Sequence, residues 1–195
     1  MTQIIPSLAA ISEQYEALFV DLWGCVHNGI TALPEAVAAL QSYRAHGGTV
    51  VLVTNSPRPR VGVEAQLKHF GVPDDAWDSI ATSGDSARAA MFQSVVGKRV
   101  YFIGLPHDLP FFDPIHVVSN PVEITRVALD EAEGIVCTGP FDGTVDPTVL
   151  LPDLRLAQRN GLKLLCANPD LVVDRGKRRE WCAGAVAQLY QEIGG

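Results

Sequence analysis

The chain has 195 residues, of which 47% are hydrophobic and 19% are charged. This balance is typical of a soluble globular protein and argues against intrinsic disorder. The formal net charge of −7 argues against general binding to nucleic acids or membrane surfaces, because these polyanions attract basic proteins. No apolar run approaches the ~18 residues of a membrane-spanning helix. Because the N-terminus also lacks the basic region of a signal peptide, we expect a cytoplasmic protein.

Short apolar runs alternate with amphipathic segments along the chain. The apolar runs predict strands at residues 17–20, 49–53, 79–82, 99–103, 115–118, 134–137 and 162–166. The amphipathic segments predict helices at residues 34–45, 61–70, 86–94, 154–159 and 180–193. Most of the strands are apolar throughout, so we expect parallel strands covered by helices on both faces. This pattern predicts an α/β fold with right-handed crossovers.

Polar residues follow the first two predicted strands, and the carboxyl ends of strands are where ligands bind in parallel α/β sheets. Asp21 ends the first strand, and Thr54 and Asn55 follow the second. Thr54 offers a hydroxyl donor, and the turn at Asn55 and Ser56 offers backbone N–H groups, which suit an anion. A carboxylate beside an anion site is typical of a nucleophile or a metal ligand.

The chain resembles the haloacid dehalogenase-like (HAD) superfamily, class IIA, through five motifs in the family's order: FVDLWGCVHNG, VLVTNSPR, IATSGDSARAAM, CANPD and GAVAQLY. That class includes 4-nitrophenylphosphatase-like, NagD-like and nucleotide phosphatases. The resemblance implies a Rossmann-like parallel sheet as the core and an α/β cap domain. Residues 1–82 would form the N-terminal part of the core, residues 83–185 the cap, and residues 186–195 the start of the return to the core.

The resemblance also implies roles for individual residues. Asp21 would be the nucleophile that forms an aspartyl-phosphate, and it would bind Mg²⁺ together with the backbone carbonyl of Trp23. Thr54 and the Asn55 N–H would hold the phosphoryl group, with Ser56 beside them. The implied reaction is Mg²⁺-dependent hydrolysis of a small phosphate ester.

Two departures from the family pattern leave alternatives open. Family phosphatases carry a second Asp two residues after the nucleophile as a general acid, and Trp23 occupies that position here. The family's later motifs, a Lys and then an acidic pair, are expected only beyond residue 195. The alternatives are a catalytically degenerate relative that binds phosphorylated ligands or partners, and a hydrolase of phosphonates or carbon–halogen bonds. Homo-oligomerisation is left open.

Basic residues give further candidates for substrate binding. Arg58 and Arg60 lie just beyond Thr54, where each either reaches a phosphate held there or is a surface residue of the first helical turn. The segment DRGKRR contributes Arg175 and Lys177 to a predicted loop that either attracts an anionic substrate or is simply a solvated surface. His27 is expected to face solvent on the loop after Asp21.

Overall fold

The computed structural model describes residues 4–116 and 118–195. The chain divides into two compact units. The first comprises residues 4–54 and 60–81, and the second comprises residues 55–59 and 82–195. Among the residues described, no helix is long and apolar enough to cross a membrane.

The strands and helices alternate along most of the chain. The strands are β1 (Ala17–Asp21), β2 (Thr49–Thr54), β3 (Ser79–Thr82), β4 (Arg99–Ile103), β5 (Thr125–Arg126), β6 (Gly134–Cys137), β7 (Lys163–Cys166), β8 (Val172–Arg175) and β9 (Arg178–Trp181). The α-helices are α1 (Pro34–Ala45), α2 (Arg60–Phe70), α3 (Ser83–Phe92), α4 (Leu151–Arg159) and α5 (Ala183–Glu192). Short 3-10 helices occupy Leu8–Ala10, Ser12–Gln14, Asp74–Ala76, Pro106–Phe112, Leu129–Glu131 and Pro147–Leu150. The predicted α/β fold with parallel sheets is confirmed.

The first unit contains a three-stranded sheet in the order β1-β2-β3, with β1 parallel to β2. Val50 and Leu52 of β2 are fully buried in a core that includes side chains of α1 and α2. The alternate residues point away from this core, and Phe19 of β1 is 78% exposed while Val53 of β2 is 39% exposed. The expectation of strands covered on both faces is therefore wrong for β1, whose residues alternate between the two faces of the sheet.

The second unit contains a four-stranded parallel sheet in the order β5-β4-β6-β7. One cluster of buried side chains joins α3 to the sheet through Met91, Val100 and Val136. A second cluster joins α4 and α5 to the sheet and includes Ile135 and Leu154. All four residues of β6 are buried. Both faces of β6 are covered, as its apolar sequence predicts.

The predicted basic loop at residues 174–179 is instead an antiparallel hairpin formed by β8 and β9. Gly176 has a φ of 61°, a left-handed conformation that favours glycine and allows a tight turn. Arg179 binds Asp174 on the opposite strand at 2.8 Å, and Arg175 binds Glu180 at 3.2 Å. The helix predicted from residue 180 begins only at Ala183, because the hairpin occupies the preceding residues.

Two other elements differ from the prediction. Helix α3 begins at Ser83 rather than at residue 86, because the hydroxyl of Thr82 accepts a hydrogen bond of 2.8 Å from the Asp85 N–H and caps the helix. The strand predicted at residues 115–118 is absent at Ile115, His116 and Val118, and residue 117 lies outside the described residues. The assignment of residues 1–82, 83–185 and 186–195 to a core, a cap and a return segment stays a prediction.

Candidate active site

Asp21 is the last residue of β1 and lies in register with Val53 of the neighbouring strand β2. Thr54, the next residue of β2, therefore lies at the same carboxyl edge of the sheet as Asp21. The Asp21 side chain is exposed, and one of its oxygens is 4.0 Å from the thiol of Cys25. The Asp21 carboxylate and the Thr54 hydroxyl thus belong to residues at the same edge of the sheet in the first unit, as the sequence predicts.

The loop after Asp21 is held by packing among its own aromatic residues. The Trp23 ring lies edge-to-face against His27, with 5.4 Å between ring centroids. A methyl group added at Gly29 would come within 2.4 Å of the Trp23 ring, and Gly29 has a φ of 82°, so both space and backbone favour glycine there. The Trp23 side chain therefore fixes the shape of the loop beside the candidate nucleophile.

His27 is buried, at 2% exposure, and does not face solvent as predicted. Its Nδ1 accepts a hydrogen bond of 3.1 Å from the Gly29 N–H, and its ring packs at 4.9 Å from the Phe70 ring. Burial lowers the pKa of His27, and the nearby charge of Asp21 partly opposes this shift. The expectation failed because position in a loop says little about which side chains turn inward.

Asn55 and Ser56 begin the short segment that belongs to the second unit. The Asn55 side-chain amide donates a hydrogen bond of 2.9 Å to Asp170. The Ser56 hydroxyl accepts one of 3.3 Å from the Arg58 N–H, and the Ser56 carbonyl accepts one of 3.0 Å from the Gly84 N–H. These hydrogen bonds hold the turn in shape, and they leave the O–H of Ser56 able to donate because its oxygen is the acceptor of the bond to Arg58.

The turn in the CANPD motif is held by hydrogen bonds much like those of the turn at Ser56. The Asn168 side chain accepts a hydrogen bond of 3.0 Å from the Asp170 N–H, which closes the turn expected for this sequence. The Gly184 N–H at the start of α5 then donates a hydrogen bond of 3.1 Å to the Asp170 carbonyl. An added methyl group at Gly184 would lie 2.2 Å from the Pro169 carbonyl oxygen, and one at Gly84 would lie equally close to the Pro57 carbonyl oxygen. In both places, the absence of a side chain on glycine lets the first turn of a helix pack closely against the backbone of a loop.

Arg58 lies partly buried near one acidic and one basic residue of the second unit. Burial lowers the pKa of the Arg58 guanidinium, the charge of Asp108 opposes that shift, and Arg175 adds to it. The Asp108 carboxylate accepts hydrogen bonds from the Leu105 N–H at 3.2 Å and from the Thr138 hydroxyl at 3.0 Å. Sequence reasoning missed Asp108 and Thr138, although Thr138 directly follows the predicted strand at 134–137.

The structure separates the basic residues of the hairpin into different environments. Arg175 is ion-paired with Glu180, and its charge also acts on Arg58. Lys177 lies at the turn, where its side chain is exposed. Arg175 is therefore held on the hairpin by its ion pair with Glu180, whereas Lys177 lies on the surface at the tip of the hairpin.

Two oxygen donors near the end of β1 suit a magnesium ion. Mg²⁺ binds oxygen ligands and commonly keeps several waters beside one or two carboxylates and substrate phosphates. The Asp21 carboxylate and the Trp23 backbone carbonyl are donors of this kind. In residues 4–116 and 118–195, no cluster of three or more His, Cys, Asp or Glu residues forms a metal site. The donors present fit a Mg²⁺ that takes further ligands from water and substrate.

A family model described as haloacid dehalogenase-like hydrolase matches residues 18–115. A solved haloacid dehalogenase-like hydrolase from Brucella suis 1330 is 40% identical, with a TM-score of 0.91 over 98% of this chain and 68% of that one. The p-nitrophenyl phosphatase from Archaeoglobus fulgidus is 20% identical, with a TM-score of 0.64 over 93% of this chain and 66% of that one.

A glycerol phosphate phosphatase from Mycobacterium tuberculosis in complex with magnesium is also similar in fold. It is 24% identical, with a TM-score of 0.64 over 95% of this chain and 54% of that one. Among proteins with curated descriptions, none matches the chain significantly. The chain thus spans between half and roughly two thirds of the length of these three solved structures.

Proposed function

Because the chain belongs to the haloacid dehalogenase-like hydrolase family, we propose that it is a Mg²⁺-dependent phosphatase of small phosphate esters that uses Asp21 as its nucleophile. The observation that carries the proposal is the pairing of β1 with β2, which puts Asp21 and Thr54 at one edge of a parallel sheet. The phosphatases among the structural neighbours support the same reaction, and they support the class IIA assignment.

In the proposed reaction, a carboxylate oxygen of Asp21 attacks the phosphorus of the ester. The bond between phosphorus and the ester oxygen breaks, and the leaving group departs with the electron pair. Water then hydrolyses the aspartyl-phosphate, which releases phosphate and regenerates Asp21. Thr54 donates a hydrogen bond to the phosphoryl oxygens, and the Asn55 N–H does the same. When bound, Mg²⁺ supplies positive charge that offsets the repulsion between the carboxylate and the phosphate.

Trp23 cannot supply a proton to the leaving group, and its ring packs on Gly29 and His27. The preferred substrates are therefore esters whose leaving groups depart without a proton, such as aryl or acyl phosphates. Ser56, Arg58, Arg175 and Lys177 are proposed to contribute to substrate binding through the second unit. Of these, Arg58 is supported best, because it directly follows the turn at Asn55 and Ser56 and its side chain is partly buried.

Hydrolysis of 4-nitrophenyl phosphate by the full protein tests the proposal. We expect Mg²⁺-dependent turnover that falls about 10³-fold or more in Asp21→Asn, which keeps the size of the side chain but removes its charge. Glu35→Gln is the matched control, because Glu35 is another exposed carboxylate of the first unit. Broadening of the Gly24 and Cys25 amide signals by Mn²⁺ tests metal binding separately from activity.

The outcomes separate the proposal from its alternatives. Full activity in Asp21→Asn contradicts the assigned nucleophile. Phosphate binding that depends on Asp21 but gives no turnover favours a non-enzymatic ligand-binding protein. Release of phosphate only from phosphonates, or of halide from haloacids, favours hydrolysis of a bond other than a phosphate ester.

A further inference from the structure

The side-chain amide of Asn55 is anchored by a residue far along the chain. It donates a hydrogen bond of 2.9 Å to Oδ1 of Asp170, and both residues belong to the second unit. Asn55 is exposed, and an asparagine without such a partner tends to bond to its own neighbouring backbone groups. The bond to Asp170 removes that alternative, so it restrains the Asn55 side chain and the backbone that carries it.

Asp170 is in turn fixed on both sides of its backbone. Its N–H donates a hydrogen bond of 3.0 Å to the side chain of Asn168, a residue that is only 9% exposed. Its carbonyl accepts one of 3.1 Å from the N–H of the buried Gly184 at the start of α5. A methyl group added at Gly184 would lie 2.5 Å from that carbonyl oxygen, so the helix and the turn are in close contact. The Asp170 carboxylate therefore has a defined position in the second unit.

The turn after β2 is also held through Ser56. The Ser56 carbonyl accepts a hydrogen bond of 3.0 Å from the Gly84 N–H, and the Ser56 hydroxyl accepts one of 3.3 Å from the Arg58 N–H. Neither of these two bonds involves Asn55, the first residue of the turn. Of the three bonds, the one to Asp170 is therefore the one that acts directly on Asn55.

We propose that Asp170 is a positioning residue that orients the phosphoryl-binding N–H of Asn55. The inference rests on the proposed function, in which that N–H donates a hydrogen bond to the phosphoryl group. A donor stabilises the charge of a phosphate best when it already points at the phosphate, because no free energy is then spent on turning it. In this arrangement Asp170 does not touch the substrate and acts through the Asn55 side chain.

A positioning role and a merely structural role predict different effects on phosphate affinity. Loss of a positioning contact lets the Asn55 N–H point elsewhere, so the dissociation constant for phosphate rises. Loss of a structural contact lowers the fraction of folded protein, but the molecules that remain folded bind phosphate as before. The affinity measured well below the unfolding temperature therefore separates the two roles.

The test measures the binding of inorganic phosphate to the full protein in the presence of Mg²⁺, followed by the amide signals of Asn55 and Ser56. Asp170→Ala removes the acceptor, and we expect the dissociation constant to rise about ten-fold, as for the loss of a hydrogen bond to a charged group. Asp170→Asn keeps an acceptor oxygen for the Asn55 amide and should restore most of the affinity. Asp130→Ala is the matched control, because Asp130 is an exposed carboxylate of the second unit.

A second variant removes the same bond from its other end. Asn55→Ala keeps the backbone N–H but loses the side-chain amide, so it should weaken phosphate binding as much as Asp170→Ala does. Because both variants break one contact, the double variant should bind phosphate no more weakly than either single variant. The KM for 4-nitrophenyl phosphate should rise in parallel, as expected when ground-state binding is lost. Thermal unfolding shows that each variant is folded at the assay temperature.

Three results would overturn the inference. The first is unchanged phosphate affinity in both Asp170→Ala and Asn55→Ala. The second is an equal loss in Asp170→Asn and Asp170→Ala, which would assign the effect to the charge of Asp170 rather than to its hydrogen bond. The third is an additive loss in the double variant. Absence of both phosphate binding and turnover in the native protein would overturn the proposed function itself, and the inference with it.

Discussion

The side-chain amide of Asn55 donates a hydrogen bond of 2.9 Å to Asp170, which lies 115 positions later in the chain. Each residue belongs to a turn that follows a strand. A glycine near the start of a helix packs against each turn: Gly84 against the turn of Asn55, and Gly184 against the turn of Asp170. The bond therefore ties together two loops that the sequence places far apart.

Asn55→Asp should destabilise the second unit, because it sets two carboxylates against each other. We expect a loss of about 1 kcal/mol in the free energy of unfolding, as for an ordinary hydrogen bond. Adding Asp170→Asn should restore most of the loss, since the donor and acceptor are then exchanged. A double-mutant cycle of thermal unfolding measures the coupling. Additive losses in the double variant would show that the two side chains act independently.

Gly184→Ala should destabilise the protein even though alanine favours helices. The added methyl group would lie 2.2 Å from the Pro169 carbonyl oxygen, so the loop or the helix must move. We expect a cost of about 1–3 kcal/mol, as for overpacking in a well-packed region. Gly139→Ala is the control, because nothing lies within 4 Å of its added methyl group. Chemical denaturation compares the two, and equal stabilities would contradict the steric argument.

His27 should make stability fall on mild acidification. Its pKa in the folded protein lies below the ordinary value of 6.5, because burial disfavours the charged ring. As the pH falls below that value, the unfolded chain binds the proton more readily than the folded one, so protonation favours unfolding. The stabilisation is complete above the unfolded pKa and declines as the pH falls towards the folded pKa.

The measurement is the free energy of unfolding from about pH 7 to about pH 5, a range that includes the ordinary histidine pKa of 6.5. His27→Asn should flatten the slope, whatever its effect on stability at pH 7. His69→Asn is the control, because His69 is exposed on α2. The prediction fails if the slope is the same in all three proteins.

Trp23→Asp tests the proposed absence of a general acid. In the native protein, kcat/KM should fall steeply as the pKa of the leaving group rises, because the leaving group departs unprotonated. A carboxyl group at residue 23 should flatten this slope, since general acid catalysis is typically worth about 10²–10⁴-fold. A series of aryl and alkyl phosphates gives the slope for both forms.

Thermal unfolding accompanies this experiment, because the substitution also removes the packing of Trp23 on Gly29. A shallow slope in the native protein would mean that another residue already supplies the proton.

The sequence predicted the elements whose pattern is strong and local. Strands β3, β4 and β6 and helix α1 have the predicted bounds. Apolar runs mark the strands, and the helix begins at a proline and ends just before two glycines. The family followed from the order of the motifs, and the matching family model confirms it. The hairpin of β8 and β9 was missed, since its strands are charged and are held by cross-strand ion pairs rather than by an apolar pattern.

The hydrogen bond from Thr138 to Asp108 could not be predicted from the local sequence pattern. Asp108 follows β4 and Thr138 follows β6, and only the order of the strands in the sheet brings the two together. The burial of His27 has a similar cause, because its partner Phe70 ends a helix more than forty residues later. Contacts of this kind depend on how the chain crosses over, which no short stretch of sequence encodes.

The packing of Trp23 against His27 makes Trp23 an intrinsic fluorescent reporter of the loop after Asp21. Indole emission is quenched by a nearby imidazolium, and the two rings are 5.4 Å apart. The chain contains three tryptophans, so replacing Trp77 and Trp181 by Phe would leave Trp23 as the single emitter. Its fluorescence would then follow the protonation of His27 and the arrival of ligands at the end of β1 in real time, without a label and without a chromogenic substrate.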